Sequence, residues 1–165
     1  MGMLDAQIIE YLPALRRYAT VVVLNKLVAD QLIKDVLLES SETFSKKNLK
    51  DLKLRLFKVL VAKLSSKSFD NNGERDLTSA ALNELLGETT RHDTEAQVLV
   101  AGLSHLNQQE REVLILAGLE GFRYLDIGEM LDVSLATVMS RLHSAREKMR
   151  DMLFGSNFSN GLDYV

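Results

Sequence analysis

Apolar residues recur along the chain at helical spacing, and the clearest such pattern lies near the C-terminal end. Within Tyr124 to Leu131 the apolar positions Leu125, Ile127 (or Gly128) and Leu131 predict a short amphipathic helix with those side chains inward. Asp132-Val133-Ser134 breaks it, and Ser134 is placed to cap the next helix by accepting an N–H of its first turn. That helix carries Val138, Leu142, Ala145 and Met149 on one stripe. Two helices joined by so tight a turn must cross steeply, as in a helix-turn-helix. Upstream, Asn107 followed by Glu110 is a capping-box pattern, and it opens a support helix over 107–119 that packs Val113, Leu114, Leu116 and Ala117 beneath the pair.

The front of the chain repeats the pattern three times. A helix over 5–24 has Ile8, Ile9, Leu12, Leu15 and Ala19 inward and Arg16-Arg17 on the opposite side, with Pro13 expected to kink or restart it. A second, over 27–40, turns Val28, Leu32, Val36 and Leu37 inward and Asp30, Gln31, Lys34, Asp35 and Glu39 outward. Ser40 to Asn48 is polar and loop-like around Phe44. A third helix, over 49–64, runs Leu49, Leu52, Leu56, Leu60 and Leu64 with Phe57 and Val61 beside them, and lysines 46, 47, 50, 53, 58 and 63 decorate its outside. Between the halves, Asn71-Asn72-Gly73 marks a break, residues 77–86 form a short amphipathic helix ended by Gly87, and an acidic helix runs from about Asp93 to Ser104. The tail after Phe154 reads as disordered or partner-bound. The expectation is an all-α chain of two small helical domains joined by a partly helical acidic linker: residues 1–68, linker 69–94, residues 95–155 and tail 156–165.

Composition removes other classes. There is one proline among 165 residues and no cysteine, so a disulfide scaffold and a thiolate metal site are excluded. No apolar run is long enough for a membrane span and no export signal is seen, which points to the cytoplasm. His92, His105 and His143 are scattered without metal-ligand spacing, and no glycine-rich phosphate loop or nucleophile elbow occurs. The expectation is a protein that is not an enzyme and has no cofactor.

Charge distribution changes the picture more than the net value of −3. Residues 1–67 carry +5, residues 68–112 carry −6 and residues 113–165 carry −2, the last with its cations gathered in the final helix. A basic front and a locally basic last helix suggest polyanion contact at two separated places. With Val138 and Leu142 inward, the last helix turns Ser140, Arg141, His143 and Ser144 outward, flanked by Met139, Arg146, Lys148 and Arg150. Small polar groups near the helix start could approach base edges while the cations meet phosphates. A solvated amphipathic helix would show the same charges.

The strings L-x-x-L-x-x-x-E-R-E-V-L-I-L, E-G-F-x-Y-x-x-I-x-E-M-L and S-x-x-T-V-x-S-R-L-x-x-A-R-E-K-M, over Leu103 to Leu153, resemble the fourth region of sigma-70-type factors of the small extracytoplasmic-function (ECF) kind. Less closely, P-A-L-R-R-Y-A, A-D-x-L-I-x-D, Phe44 and N-L-x-x-L-x-x-R-L-F-K-V-L resemble the second region, especially of the general-stress-response subgroup. The resemblance implies a sigma region 2-like three-helix bundle, a sigma region 4-like helix-turn-helix, and an alternative sigma factor that binds core RNA polymerase and promoter DNA and is held by an anti-sigma factor. Carried over residue by residue, DNA binding falls to Ser134, Thr137, Met139, Ser140, Arg141, His143, Ser144, Arg146 and Lys148. A promoter-melting loop falls to Thr43, Phe44, Lys46, Lys47 and Asn48, and polymerase binding to Asp30, Gln31, Ile33, Lys34 and Asp35. Several positions depart from the family. Gln31 and Lys34 replace an acid and an amide, the hallmark tryptophans are missing, and Arg123, Gly128, Asp132 and Met139 stand where Ser/Thr, Ala, Gly and a cation are common. Two other functions fit parts of the pattern: a sigma mimic that sequesters the anti-sigma factor without binding DNA, and a dimeric helix-turn-helix repressor. The first reading expects a monomer when free.

Overall fold

A computed structural model describes residues 3–44, 51–66 and 101–155. Every regular element among them is an α-helix: α1 (Met3–Val23), α2 (Lys26–Thr43), α3 (Leu52–Ser66), α4 (Gln108–Gly118), α5 (Tyr124–Leu131) and α6 (Leu135–Phe154). Residues 101–105 are helical as well and lead into α4. The expected linker helix over 77–86, the lysines at 46, 47 and 50, Asn48 and the tail lie outside the described residues.

The front half is a three-helix bundle. Helices α1 and α2 form a hairpin whose two-residue connection is Leu24-Asn25. Leu24 takes φ 54° and is fully buried, while Asn25 accepts Val28 N–H at 3.1 Å and so caps α2. The core is built from Leu15, Tyr18 and Val22 of α1, Leu32 and Val36 of α2, and Leu56, Phe57, Leu60 and Leu64 of α3. Pro13 does not restart α1; it sits exposed on one continuous helix.

The apolar stripe of α1 keeps Ile8, Leu15 and Ala19 buried and Leu12 partly buried, as expected, but it is wider than expected and leaves Ile9 outside. Ile9 is 49% exposed, whereas Tyr18 to Val22 are all buried. The reason is that the last turns of α1 are wrapped on several sides, by α2, α3 and also α4. A helix flanked on both sides buries a wide arc, and Thr20 is enclosed with it. Burial pushes the Tyr18 phenol well above its usual range, and the neighbouring Glu112 carboxylate adds to the shift.

The back half packs α4 against both α5 and α6, and the two halves share one apolar cluster. An aromatic chain crosses between them. The rings of Tyr18 and Phe57 meet edge-on at 5.6 Å, and those of Phe57 and Phe122 at 5.0 Å. Polar contacts cross in the same zone. Arg111, only 5% exposed, donates to Val22 O at 3.1 and 2.8 Å, satisfying a carbonyl in the last turn of α1, and also to the carbonyls of Leu103 and Leu106.

Candidate nucleic-acid interface

The helix-turn-helix is made by local rules that can be followed residue by residue. Asn107 accepts Glu110 N–H at 2.9 Å, and the Glu110 carboxylate accepts Asn107 N–H at 3.0 Å, which closes the capping box of α4. Helix α5 opens on Arg123, which gives no side-chain cap; its guanidinium instead pairs with Asp126 at 2.8 and 3.1 Å. The far end of α5 is closed by Asp132 in the left-handed conformation, φ 53° and ψ 49°. Val133 N–H reaches back to Gly128 O at 2.9 Å and Asp132 N–H to Glu129 O at 3.4 Å, the two bonds of a Schellman motif. Aspartate is among the few non-glycine residues that tolerate this backbone, which accounts for Asp132 at a position where the family favours glycine. The tight return explains Gly128 too: a Cβ there would meet Val133 O at 2.9 Å.

Ser134 then starts α6. Its hydroxyl accepts Thr137 N–H at 3.1 Å and lies 2.9 Å from the Thr137 hydroxyl. Val138, Leu142 and Ala145 are buried beneath the helix and Met149 is half-buried, as the spacing predicts. Leu125 departs from expectation. It is 66% exposed, because Ile127, Gly128 and Met130 form the buried face of α5. Together with Leu135 it lines a cleft of about 430 Å³ at the turn, edged by Glu129 and Asp132.

Among the nine residues proposed for DNA contact, Met139, Ser140, His143 and Arg146 form the outward stripe of α6, all exposed, with Lys148 further along; Arg150, exposed beyond it, is not one of the nine. Arg141 is half-buried at the edge of that stripe and acts electrostatically on Glu112. Four residues have internal work. Ser134 and Thr137 are spent on the cap. Ser144 donates to Glu110 at 2.7 Å, and Lys148 reaches the same carboxylate at 2.8 and 2.9 Å, so both clamp α6 onto α4. Burial raises the Glu110 carboxyl, but the bonds from Lys148, Ser144 and Asn107 outweigh it and hold the group below its usual range. Glu112, one turn-edge away, goes the other way: burial pushes it up, against the opposing pull of Gln108, Arg141 and Arg111.

The front-half candidates are scattered. On α2, Gln31 and Lys34 are exposed, Gln31 donates to Asp35 at 3.1 Å, and Asp30 pairs with Arg16 at 3.4 Å. Ile33 is 2% exposed and belongs to the core, so it is not part of that surface. The outward lane of α2 is completed by Leu27 and Leu38, 80% and 67% exposed, which the pattern did not single out. Thr43 is exposed at the end of α2. Phe44 is 8% exposed, and the Arg55 guanidinium lies over its ring at 4.2 Å, so it plugs the bundle end and offers no free stacking face. Lys46, Lys47 and Asn48 lie outside the described residues.

The lysines of α3 form no open track. Lys53 donates to Glu120 O at 2.8 Å, Lys58 pairs with Glu129 at 2.9 Å, and Lys63 pairs with Glu39 at 2.6 Å. Nor is Arg17 solvated; it donates twice to Glu120. Glu120 and Arg111 were the functional-looking residues that sequence periodicity could not find. No motif marks a carboxylate whose partners lie 67 and 103 positions away.

Residues 96–149 match the model of sigma-70, region 4. The matched segment contains α4, α5 and α6 as far as Met149. The chain is 39% identical over 67 residues to the ECF RNA polymerase sigma factor SigE of Mycolicibacterium smegmatis, covering 40% of this chain and 26% of that protein. It is 39% identical over 54 residues to the ECF RNA polymerase sigma factor EcfG of Rhodopseudomonas palustris, covering 33% of this chain and 30% of that one. The match thus spans between about a quarter and a third of the length of these relatives. Two solved structures share the fold along most of the chain. One is the sigma factor RpoE in complex with the anti-sigma factor NepR from Bartonella quintana, with TM-score 0.69, 23% identity, and coverage of 91% of this chain and 96% of that one. The other is CnrH in complex with the cytosolic domain of CnrY, with TM-score 0.65, 18% identity, and coverage of 92% and 88%. They carry the all-α, two-domain architecture well beyond the segment that the family model matches. Among the described residues, no helix is long and apolar enough to cross a membrane and no cluster of metal-ligating side chains occurs.

Proposed function

We propose that the chain is an alternative sigma factor of the ECF kind, which binds core RNA polymerase and directs it to promoters. The observation that carries this reading is the outward stripe of α6. Met139, Ser140, His143 and Arg146 are presented together by a capped helix clamped to its support, inside the segment that resembles sigma-70 region 4. Ser140 and His143 would meet base edges while Arg141 and Arg146 take backbone phosphates. Residues 1–68 would serve as the region 2-like domain and 95–155 as the region 4-like domain, with 69–94 as linker and 156–165 as tail. The exposed lane of α2, with Gln31 and Lys34 between Leu27 and Leu38, would face polymerase.

The general-stress subgroup and an anti-sigma partner belong to the same proposal. They are supported by the likeness to EcfG and by the anti-sigma factor in the RpoE complex. Catalysis would lie in the polymerase, and the protein would act in the cytoplasm as a monomer when free. A sigma mimic that only sequesters an anti-sigma factor would leave the α6 stripe without a role. Transcription in vitro with core polymerase tests the proposal: promoter-specific transcripts support it, and none from any candidate promoter ends it.

A further inference from the structure

The junction between the halves is held by charge. The Glu120 side chain is 1% exposed, yet it sits on the short segment between α4 and α5 with two front-half cations converging on it. Arg17 donates from Nε at 2.9 Å and from its terminal nitrogen at 2.6 Å to one carboxylate oxygen. Lys53 donates to the Glu120 backbone oxygen at 2.8 Å, stands 3.4 Å from the second carboxylate oxygen, and lies over the Phe122 ring at 5.0 Å. Nine residues further along, on α5, Glu129 holds Lys58 at 2.9 Å. Two carboxylates of the back half therefore cover three cations of the front half.

We propose that Glu120 and Glu129 are a built-in stand-in for phosphate: they close the chain on itself and mask a cationic site that takes the backbone of a polynucleotide once the halves part. A guanidinium that donates to a carboxylate in this fashion donates to a phosphate through the same N–H groups. Three cations presented by two neighbouring helices suit a polyanion, whose binding gains from each phosphate neutralised. The charge partition agrees, since residues 1–67 carry +5 and the acid that covers them comes from elsewhere in the chain. The closed form follows from the contacts alone. The identity of the displaced ligand rests on the promoter-binding reading.

The chain has no cysteine, so two can be introduced for dyes on exposed sites of opposite halves, Ser41→Cys on α2 and Asp151→Cys on α6. In that background Glu120→Gln should shift the closed-to-open balance about tenfold or more toward open, because Arg17 and Lys53 lose the carboxylate that covers them while little shape changes. Energy transfer falls, and affinity for a labelled oligothymidylate rises about tenfold. Helix content by circular dichroism shows that the variant is folded. The Lys58–Glu129 pair is 39% and 65% exposed and tolerates reversal, so it supplies a check free of core damage. Glu129→Lys or Lys58→Glu alone lowers transfer, and the two together restore it. Transfer unchanged in Glu120→Gln and in both single reversals overturns the clasp. Opening without a gain in oligothymidylate binding overturns the masking. If the chain opens and binds but drives no promoter-specific transcript with core polymerase, the sigma reading falls and the clasp stands.

Discussion

Arg111→Met is the perturbation that most directly weighs the packing of the two halves. The wild-type guanidinium is 5% exposed and donates to three backbone carbonyls, Val22 O on the front half and Leu103 O and Leu106 O on the back. Hydrogen bonds from a charged donor contribute roughly 1.5–3 kcal/mol each, but removing the charge also removes the penalty of burying it. Methionine has similar length and fills the space, so cavity formation adds little. What remains is three carbonyls deprived of a shared donor, each able to recover part of its loss through water at the junction. The net effect should be a loss of about 3 kcal/mol, or roughly 6–12 °C in Tm for a chain of this size. Urea unfolding followed by far-ultraviolet circular dichroism measures it from the midpoint shift at unchanged slope. Arg111→Lys keeps the charge but cannot span carbonyls on two elements, and it should recover about half of the loss. If Arg111→Met unfolds within about 0.5 kcal/mol of wild type, the level of a typical surface change, Arg111 does not join the halves.

Other outcomes follow from the same contacts. Glu110 is held below its usual pKa when folded, so its contribution is complete above the unfolded value and is lost as pH falls through the folded one; Glu110→Gln should destabilise the protein by about 1–2 kcal/mol at neutral pH and by much less in acid, read by melting at several pH values. Glu112 has the opposite sign: its folded pKa is raised, so stability falls as pH rises through it, and Glu112→Gln should be neutral or stabilising at pH 7 and should flatten that part of the curve. Gly128→Ala should destabilise by about 1 kcal/mol, although the same change in an ordinary helix interior gains about that much, because the new methyl would press on Val133 O; a stabilised variant in the same urea assay would show that the turn relaxes freely. Arg141→Ala or Arg146→Ala should weaken promoter binding at every sequence and reduce its salt slope, whereas Ser140 or His143 changes should alter base preference, as read by fluorescence anisotropy of holoenzyme on matched and mismatched duplexes.

Local chemistry was legible along the sequence where it is self-contained. The Asn107–Glu110 capping box, the Ser134 cap and the buried row of Val138, Leu142 and Ala145 depend on neighbours within one or two turns, and each is found where the pattern puts it. Leu125 and Ile9 were misplaced because a stripe read from one helix cannot say how many partners flank it. Phe44, which the resemblance places in a promoter-melting loop, is covered by Arg55, a partner that periodicity does not show. The charged residues were the least legible. Lys53, Lys58, Arg17, Ser144 and Lys148 all read as outward polar positions, and all are engaged by carboxylates distant in the chain. Periodicity reports which face a side chain is on, and nothing in it reports what another element brings to that face.

The central claim is that the exposed stripe of α6 selects where polymerase starts. Core polymerase mixed with this protein on genomic fragments from its source organism, followed by sequencing of transcript 5′ ends, measures that directly. The account predicts starts sharing a common upstream element, with His143→Ala or Ser140→Ala changing which element is shared. Starts identical to those of core polymerase alone, or an element unmoved by any change on the α6 stripe, would contradict it.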